Sequence, residues 1–145
     1  MDIVRDLAVL DLLCVRDFPA VHGSTEAGSG GPGYFMVCLG PGTWPSPQDL
    51  HAYETAVAER LDERLGGQAR TETVALRERL TRGERLSEPW ASLGVLADDL
   101  RTWPAGETGR WITLAVSDRD VPDRARLLAA VTDTEPPCSG LPSDG

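Results

Sequence analysis

The sequence has no lysine and no asparagine, and all fourteen of its basic residues are arginine. Both missing residues have A-rich codons, while Ala, Gly, Pro, Arg and Asp are abundant. A GC-rich genome accounts for the gap, and arginine needs no special task. Cysteine is scarce too. Cys14, Cys38 and Cys138 form no CxxC pair and are too few and scattered for a disulfide framework. Long apolar runs are absent: Asp11 interrupts the stretch Leu7 to Val15, and no basic segment precedes it. That excludes a secretory signal and a membrane span, so the expected compartment is the cytoplasm, with Cys14 and Cys38 as small core residues. Positive charge is the minority sign. A net charge of −9 over 145 residues repels phosphate backbones and anionic lipids, so neither nucleic acid nor membrane is an expected partner. It suits a protein with a basic surface, although acidity also serves solubility alone.

Chemical motifs are equally thin. Gly28, Gly30 and Gly33 spell GxGxxG, but Pro32 sits inside and an apolar run, Tyr34 to Leu39, follows where a phosphate-binding helix would have to start. No GK[ST], HExxH or GxSxG is present. His51 and Glu54 are three apart on a helix, yet two ligands do not make a metal site. His22 has no partner in the sequence around it. Asp118, Asp120 and Asp123 lack the glycine and glutamate of a calcium loop and read as a solvated turn. No metal and no cofactor are expected.

What is present is a fold pattern. In Arg110 to Asp118, Ile112, Leu114 and Val116 alternate with Trp111, Thr113, Ala115 and Ser117, as in a strand with one face on a core. Ser46-Pro47-Gln48-Asp49 opens a capped helix with the stripe Leu50, Tyr53, Val57, Leu61 and Leu65; Glu54 and Asp62 are assigned to water, and Gly66-Gly67 ends it. Asp2 to Val15 reads as an N-terminal helix, with Ile3, Leu7, Leu10 and Cys14 inward and Val4, Leu12, Leu13 and Val15 widening the apolar side. Gly23 to Gly33 is a flexible loop by composition. Thr71 to Thr81 reads as a half-exposed strand, although Glu78 then points inward, and Trp90 to Trp103 as an extended segment, although Trp90, Leu93, Leu96, Leu100 and Trp103 also fit a helix. Ala105 to Gly109 is a hairpin loop, and Arg126 to Val131 is read as pairing back on the organising strand rather than as a helix. The resulting fold class is α+β. An antiparallel meander sheet of about four to five strands carries one long amphipathic helix on one face, with an N-terminal helix beside it. Residues 1–133 form a single domain and 134–145 a disordered tail.

Residues 46–133 carry a recognisable order: Arg64-Leu65-Gly66-Gly67, then Glu88-Pro89-Trp90-Ala91-Ser92-Leu93, then Arg110-Trp111-Ile112-Thr113-Leu114-Ala115-Val116-Ser117, an acidic turn with Pro122, and Leu127-Leu128-Ala129-Ala130-Val131. This resembles small actinobacterial α+β proteins with the same strand, acidic turn and strand. The resemblance implies the hairpin and transfers no catalytic residue. Some such proteins look like immunity or partner proteins of secreted toxins.

Trp44, Trp90, Trp103 and Trp111 are many for this length. With the long helix over Ile112, Leu114 and Val116, Trp111 falls on the opposite sheet face, and Trp103 is expected to join it across the hairpin. Exposed Trp beside Asp98, Asp99, Asp118 and Asp120 would compose an interface. The alternative is a second core layer covered by Tyr34, Phe35 or the N-terminal helix. The expected function is therefore a non-catalytic, acidic protein-interaction module, immunity-like or chaperone-like, with Trp103, Trp111 and these four aspartates as its binding residues. A small-molecule-binding or accessory domain with a helix–sheet pocket is the alternative. A small hydrolase using His22 or His51 with a carboxylate is a weaker one.

Overall fold

The computed structural model describes residues 3–24, 28–41, 44–66, 69–72, 78, 81–83, 85, 90–91, 93, 99–105, 108–117 and 125–133. In chain order these form α1 (Ile3–Leu13), β1 (Gly23–Ser24), β2 (Gly28–Gly31), β3 (Tyr34–Leu39), α2 (Pro47–Leu65), β4 (Ala69–Glu72), β5 (Asp99–Pro104), β6 (Trp111–Ser117) and β7 (Arg126–Thr132). The protein is α+β. Its strands make one seven-stranded sheet in the order β1-β2-β3-β7-β6-β5-β4, and every pairing is antiparallel.

The sheet is two meanders joined edge to edge. One is β1-β2-β3; the other runs β4-β5-β6-β7 and returns to pair with β3. The chain crosses from one meander to the far edge of the other through α2. Local chemistry fixes where α2 begins: Ser46 is extended, and its hydroxyl accepts the Asp49 N–H at 3.2 Å. Gly66, at φ +95°, ends the helix with its N–H on the Asp62 carbonyl. The tight turn before α2 requires Gly40, at φ +74°; a Cβ there would lie 2.6 Å from the Trp44 ring.

Register decides which side chains meet. Phe35, Val131, Ile112 and Trp103 stand directly opposite one another across β3, β7, β6 and β5. Val37, Ala129, Leu114 and Arg101 form the next row. Both rows face the helices, because directly paired residues share a face. Arg101 meets Glu54 of α2; the other seven form the main core with Leu7, Leu10 and Leu13 of α1 and Leu50, Tyr53, Val57 and Leu61 of α2. The opposite face is covered at its centre by Trp90 and Leu93, which close over Leu100, Ala115 and Ala130.

Several expectations change here. The sheet has seven strands rather than four to five, because the glycine segment adds β1 and β2. Its glycines are small for packing: a Cβ on Gly31 would lie 2.7 Å from both His22 Nδ1 and Tyr34 Cε1. Among the described residues of the stretch expected to be extended from Trp90, Ala91 and Leu93 are helical with Trp90, and Asp99–Pro104 is extended. Of the strand expected over 71–81, Thr71 and Glu72 lie in β4, Glu78 and Thr81 are helical, and 73–77, 79 and 80 lie outside the described residues. Arg126–Thr132 does pair with β6, as the hairpin reading required. Cys14 is buried in the core, whereas Cys38 is exposed. The expected tail, residues 134–145, lies outside the described residues.

Candidate functional site

Trp103 and Trp111, expected to share a binding surface, do not come together. Trp103 is fully buried beneath α2, and its Nε1–H donates to Asp62 Oδ1 at 2.8 Å. The expected Trp103–Trp111 pair fails on parity. Trp103 stands opposite Ile112, so Trp111, opposite Pro104, must point through the other side of the sheet. Trp111 is half-buried there. Asp99 opens β5 opposite Glu72. Asp98, Asp118 and Asp120 lie outside the described residues. His51 and Glu54 are also separated. His51 is exposed, while Glu54 is turned inward, 4.0 Å from Arg101 of β5. His22 Nδ1 shares a 2.9 Å hydrogen bond with the Tyr34 hydroxyl.

What the fold does assemble is a cleft between α1 and α2. Asp6 anchors one end: its Oδ2 accepts the Gly40 N–H at 2.9 Å and a short hydrogen bond from the Tyr53 hydroxyl. Further along, Asp11 Oδ2 accepts from Arg64 Nη2 at 2.6 Å. Asp6 meets Tyr53 and Asp11 meets Arg64, so the two helices run in the same sense. Between them lies a groove of about 380 Å³, lined by Val4, Leu7, Ala8 and Asp11 on one wall and Arg60, Glu63 and Arg64 on the other. Past the Asp11–Arg64 bridge, a cavity of about 260 Å³ continues to the β5–β6 loop, over Cys14, Leu61, Leu65 and Ile112. Burial pushes the Cys14 thiol above its ordinary range, and Asp11 adds to that effect against the opposing pull of Arg110 and Arg64. The thiol stays protonated and is a poor nucleophile. Arg110 closes this end of α1. Its Nη1 donates to the carbonyls of Leu13 and Arg16 at 2.6 Å each, with the guanidinium 4.0 Å above the Phe18 ring.

The outer side of α1 is the less expected part. Among the described residues the exposed large hydrophobics are Val4 (69%), Leu12 (54%), Val15 (70%) and Val21 (74%), and three of them lie on or just past α1. With the exposed Ala8 they form a stripe along the helix, on the side away from Leu7, Leu10 and Leu13. The sequence reading placed Val4, Leu12 and Val15 on the buried side. The signal that finds them is angular: at about 100° per residue, Val4, Ala8, Leu12 and Val15 share an arc opposite Leu10 and Leu13.

Among the described residues no helix is long and apolar enough to cross a membrane, and no group of three or more His, Cys, Asp or Glu side chains could hold a metal ion. Compared with known proteins, the chain matches no protein family, no curated protein and no solved structure.

Proposed function

We propose that the protein is a non-catalytic protein-interaction module that docks through the outer face of α1. The observation that carries this reading is the exposed stripe of Val4, Ala8, Leu12 and Val15. The inner side of α1 supplies Leu7, Leu10 and Leu13 to the core, and the outer apolar residues lie outside the core clusters of the described residues. The sheet face first expected to dock a partner is covered by Trp90 and Leu93 at its centre. A basic partner remains a fitting choice for the molecule as a whole, at −9. The α1 face itself demands only an apolar patch. A second reading, a small-molecule pocket, is favoured by the cavity over Cys14 and Ile112, whose volume suits a small, mostly apolar ligand.

The test is affinity capture with the full chain, its Leu12→Glu variant and its Trp111→Ala variant as bait. A protein held by the wild type and by Trp111→Ala, and lost by a folded Leu12→Glu, supports the α1 face. Loss with Trp111→Ala alone moves the contact to the opposite sheet face. No difference among the three baits overturns the reading, and ligand-dependent thermal stabilisation would then favour the pocket.

A further inference from the structure

We propose that the cavity at the C-terminal ends of α1 and α2 binds a small neutral molecule, an apolar body of phenol size carrying one hydroxyl; this rests on the pocket reading of that cavity.

Shape sets the size. The two helices run in the same sense, so Cys14, just past α1, comes beside Leu61 and Leu65 at the end of α2, with Ala105 and Ile112 of the β5–β6 hairpin across from them. Cys14, Leu61, Ala105 and Ile112 are buried and Leu65 is half-buried, yet about 260 Å³ stays open among them. At about 30 Å³ for each water-sized group, that space takes roughly eight heavy atoms. A single ring or a short branched chain fits, and a drug-sized ligand does not.

Polarity sets the hydroxyl. Around the cavity, polar groups are largely spent on the chain itself. The Thr108 hydroxyl donates to the Ala105 carbonyl at 2.9 Å and accepts the Arg110 N–H at 3.1 Å. The N–H groups of Cys14, Ala105 and Thr108 donate to the carbonyls of Leu10, Arg110 and Ala105. A ligand's polar atom is therefore met at the rim, by the bridge from Arg64 Nη2 to Asp11 Oδ2. That one bond uses one of several acceptor sites on the carboxylate and one of several N–H donors on the guanidinium. The two side chains are 55% and 45% exposed, Asp11 the more so, and the bridge offers an acceptor and a donor side by side. A hydroxyl is both donor and acceptor, and it fits such a pair without breaking it.

Charge sets the neutrality. Asp11 and Arg64 cancel each other, so an ion of either sign gains one partner only by parting it from the other. Its charge would also leave water for a floor of Leu61, Leu65 and Ile112. An anion is opposed further by the C-terminal ends of both helices and by a chain at −9. Burial keeps the Cys14 thiol in its uncharged form as well.

Methyl NMR of the full chain, titrated to about 5 mM with four matched probes, reads size, polarity and charge together. The probes are 4-methylphenol, toluene, benzoate and benzylamine. The expected dissociation constant for 4-methylphenol is on the order of 1 mM, with shifts at Leu61, Leu65 and Ile112 and none at Leu50 or Leu128. Benzoate and benzylamine bind at least about tenfold more weakly. Asp11→Ala combined with Arg64→Ala removes only an exposed pair, so the fold stays. In that variant 4-methylphenol weakens about tenfold and toluene is unchanged. Leu65→Trp fills the space and abolishes binding of both. In the unaltered chain, 4-methylphenol slows alkylation of Cys14 by iodoacetamide and leaves the exposed Cys38 at its own rate.

Tighter binding of benzoate or benzylamine overturns the neutral class and keeps the pocket. Equal loss of 4-methylphenol and toluene in the double variant, or no loss of either, overturns the hydroxyl contact. Shifts confined to Leu50 or Leu128 overturn the site. If none of the four probes binds, the proposal and the pocket reading fall together, and the α1 docking face stands on its own capture test.

Discussion

α1 and α2 lie side by side on the same sheet face, and they treat water differently. α2 buries Leu50, Tyr53, Val57 and Leu61 and turns Glu59, Arg60, Glu63 and Arg64 outward, the ordinary division of a surface helix. α1 buries Leu7, Leu10 and Leu13 as well, yet its outer side shows Val4, Ala8, Leu12 and Val15. The sheet constrains only the inner side of each helix. The surplus apolar residues of α1 are what the proposed docking face rests on.

The contrast can be broken from the inside first. Trp103→Ala empties the seat of α2 and leaves Asp62 without its indole donor; a loss of about 3–5 kcal/mol is expected in urea denaturation. A loss below about 1 kcal/mol would mean that α2 is held mainly elsewhere. Asp6→Ala removes the carboxylate that ties α1 to Tyr53 and to the Gly40 turn. About 2 kcal/mol is expected from the two partners left behind, and an unchanged melting curve would show that the apolar seam alone aligns the helices. The smallest effect is alkaline. The folded Cys14 thiol has its pKa raised above the ordinary 9.0, so the folded state keeps a proton that the unfolded chain gives up first. Its contribution is complete below the ordinary value and is lost as pH rises through the folded one. The melting-temperature advantage of wild type over Cys14→Ala should shrink from neutral pH to about pH 10; a constant difference would mean that the thiol titrates as in water.

Much of the fold was legible because it is written locally. Ser46, Pro47 and Asp49 state a helix start in four residues, and the alternation in Trp111–Ser117 states a strand. The Arg126–Thr132 hairpin followed from the need of that strand for a neighbour. Glu54 and Asp62 were misplaced for the opposite reason. Composition sends a carboxylate to water, but Arg101 and the Trp103 indole give these two a partner under the helix. The glycine segment was read as flexible because glycine has no propensity of its own. Its strand Gly28–Gly31 is held by what leans on it, since His22, Tyr34 and Phe35 fill the space that side chains at Gly30 and Gly31 would have taken.

The candidate site shows the limit more sharply. Trp103 and Trp111 looked like one surface because both flank a hairpin loop. Faces in a hairpin depend on whether the paired positions add to an odd or an even number, and Trp103 with Ile112 makes the sum odd. That parity is set by where the loop closes, a matter of long-range pairing. By itself the sequence determined the chemistry on offer: an acidic α+β chain with a capped helix, a core strand and a stock of apolar residues at helical spacing. Only the tertiary structure decided which of those residues were used up. A helix has two sides, and burial is assigned by what packs against it, so Leu10 became core and Leu12, two residues on, became surface.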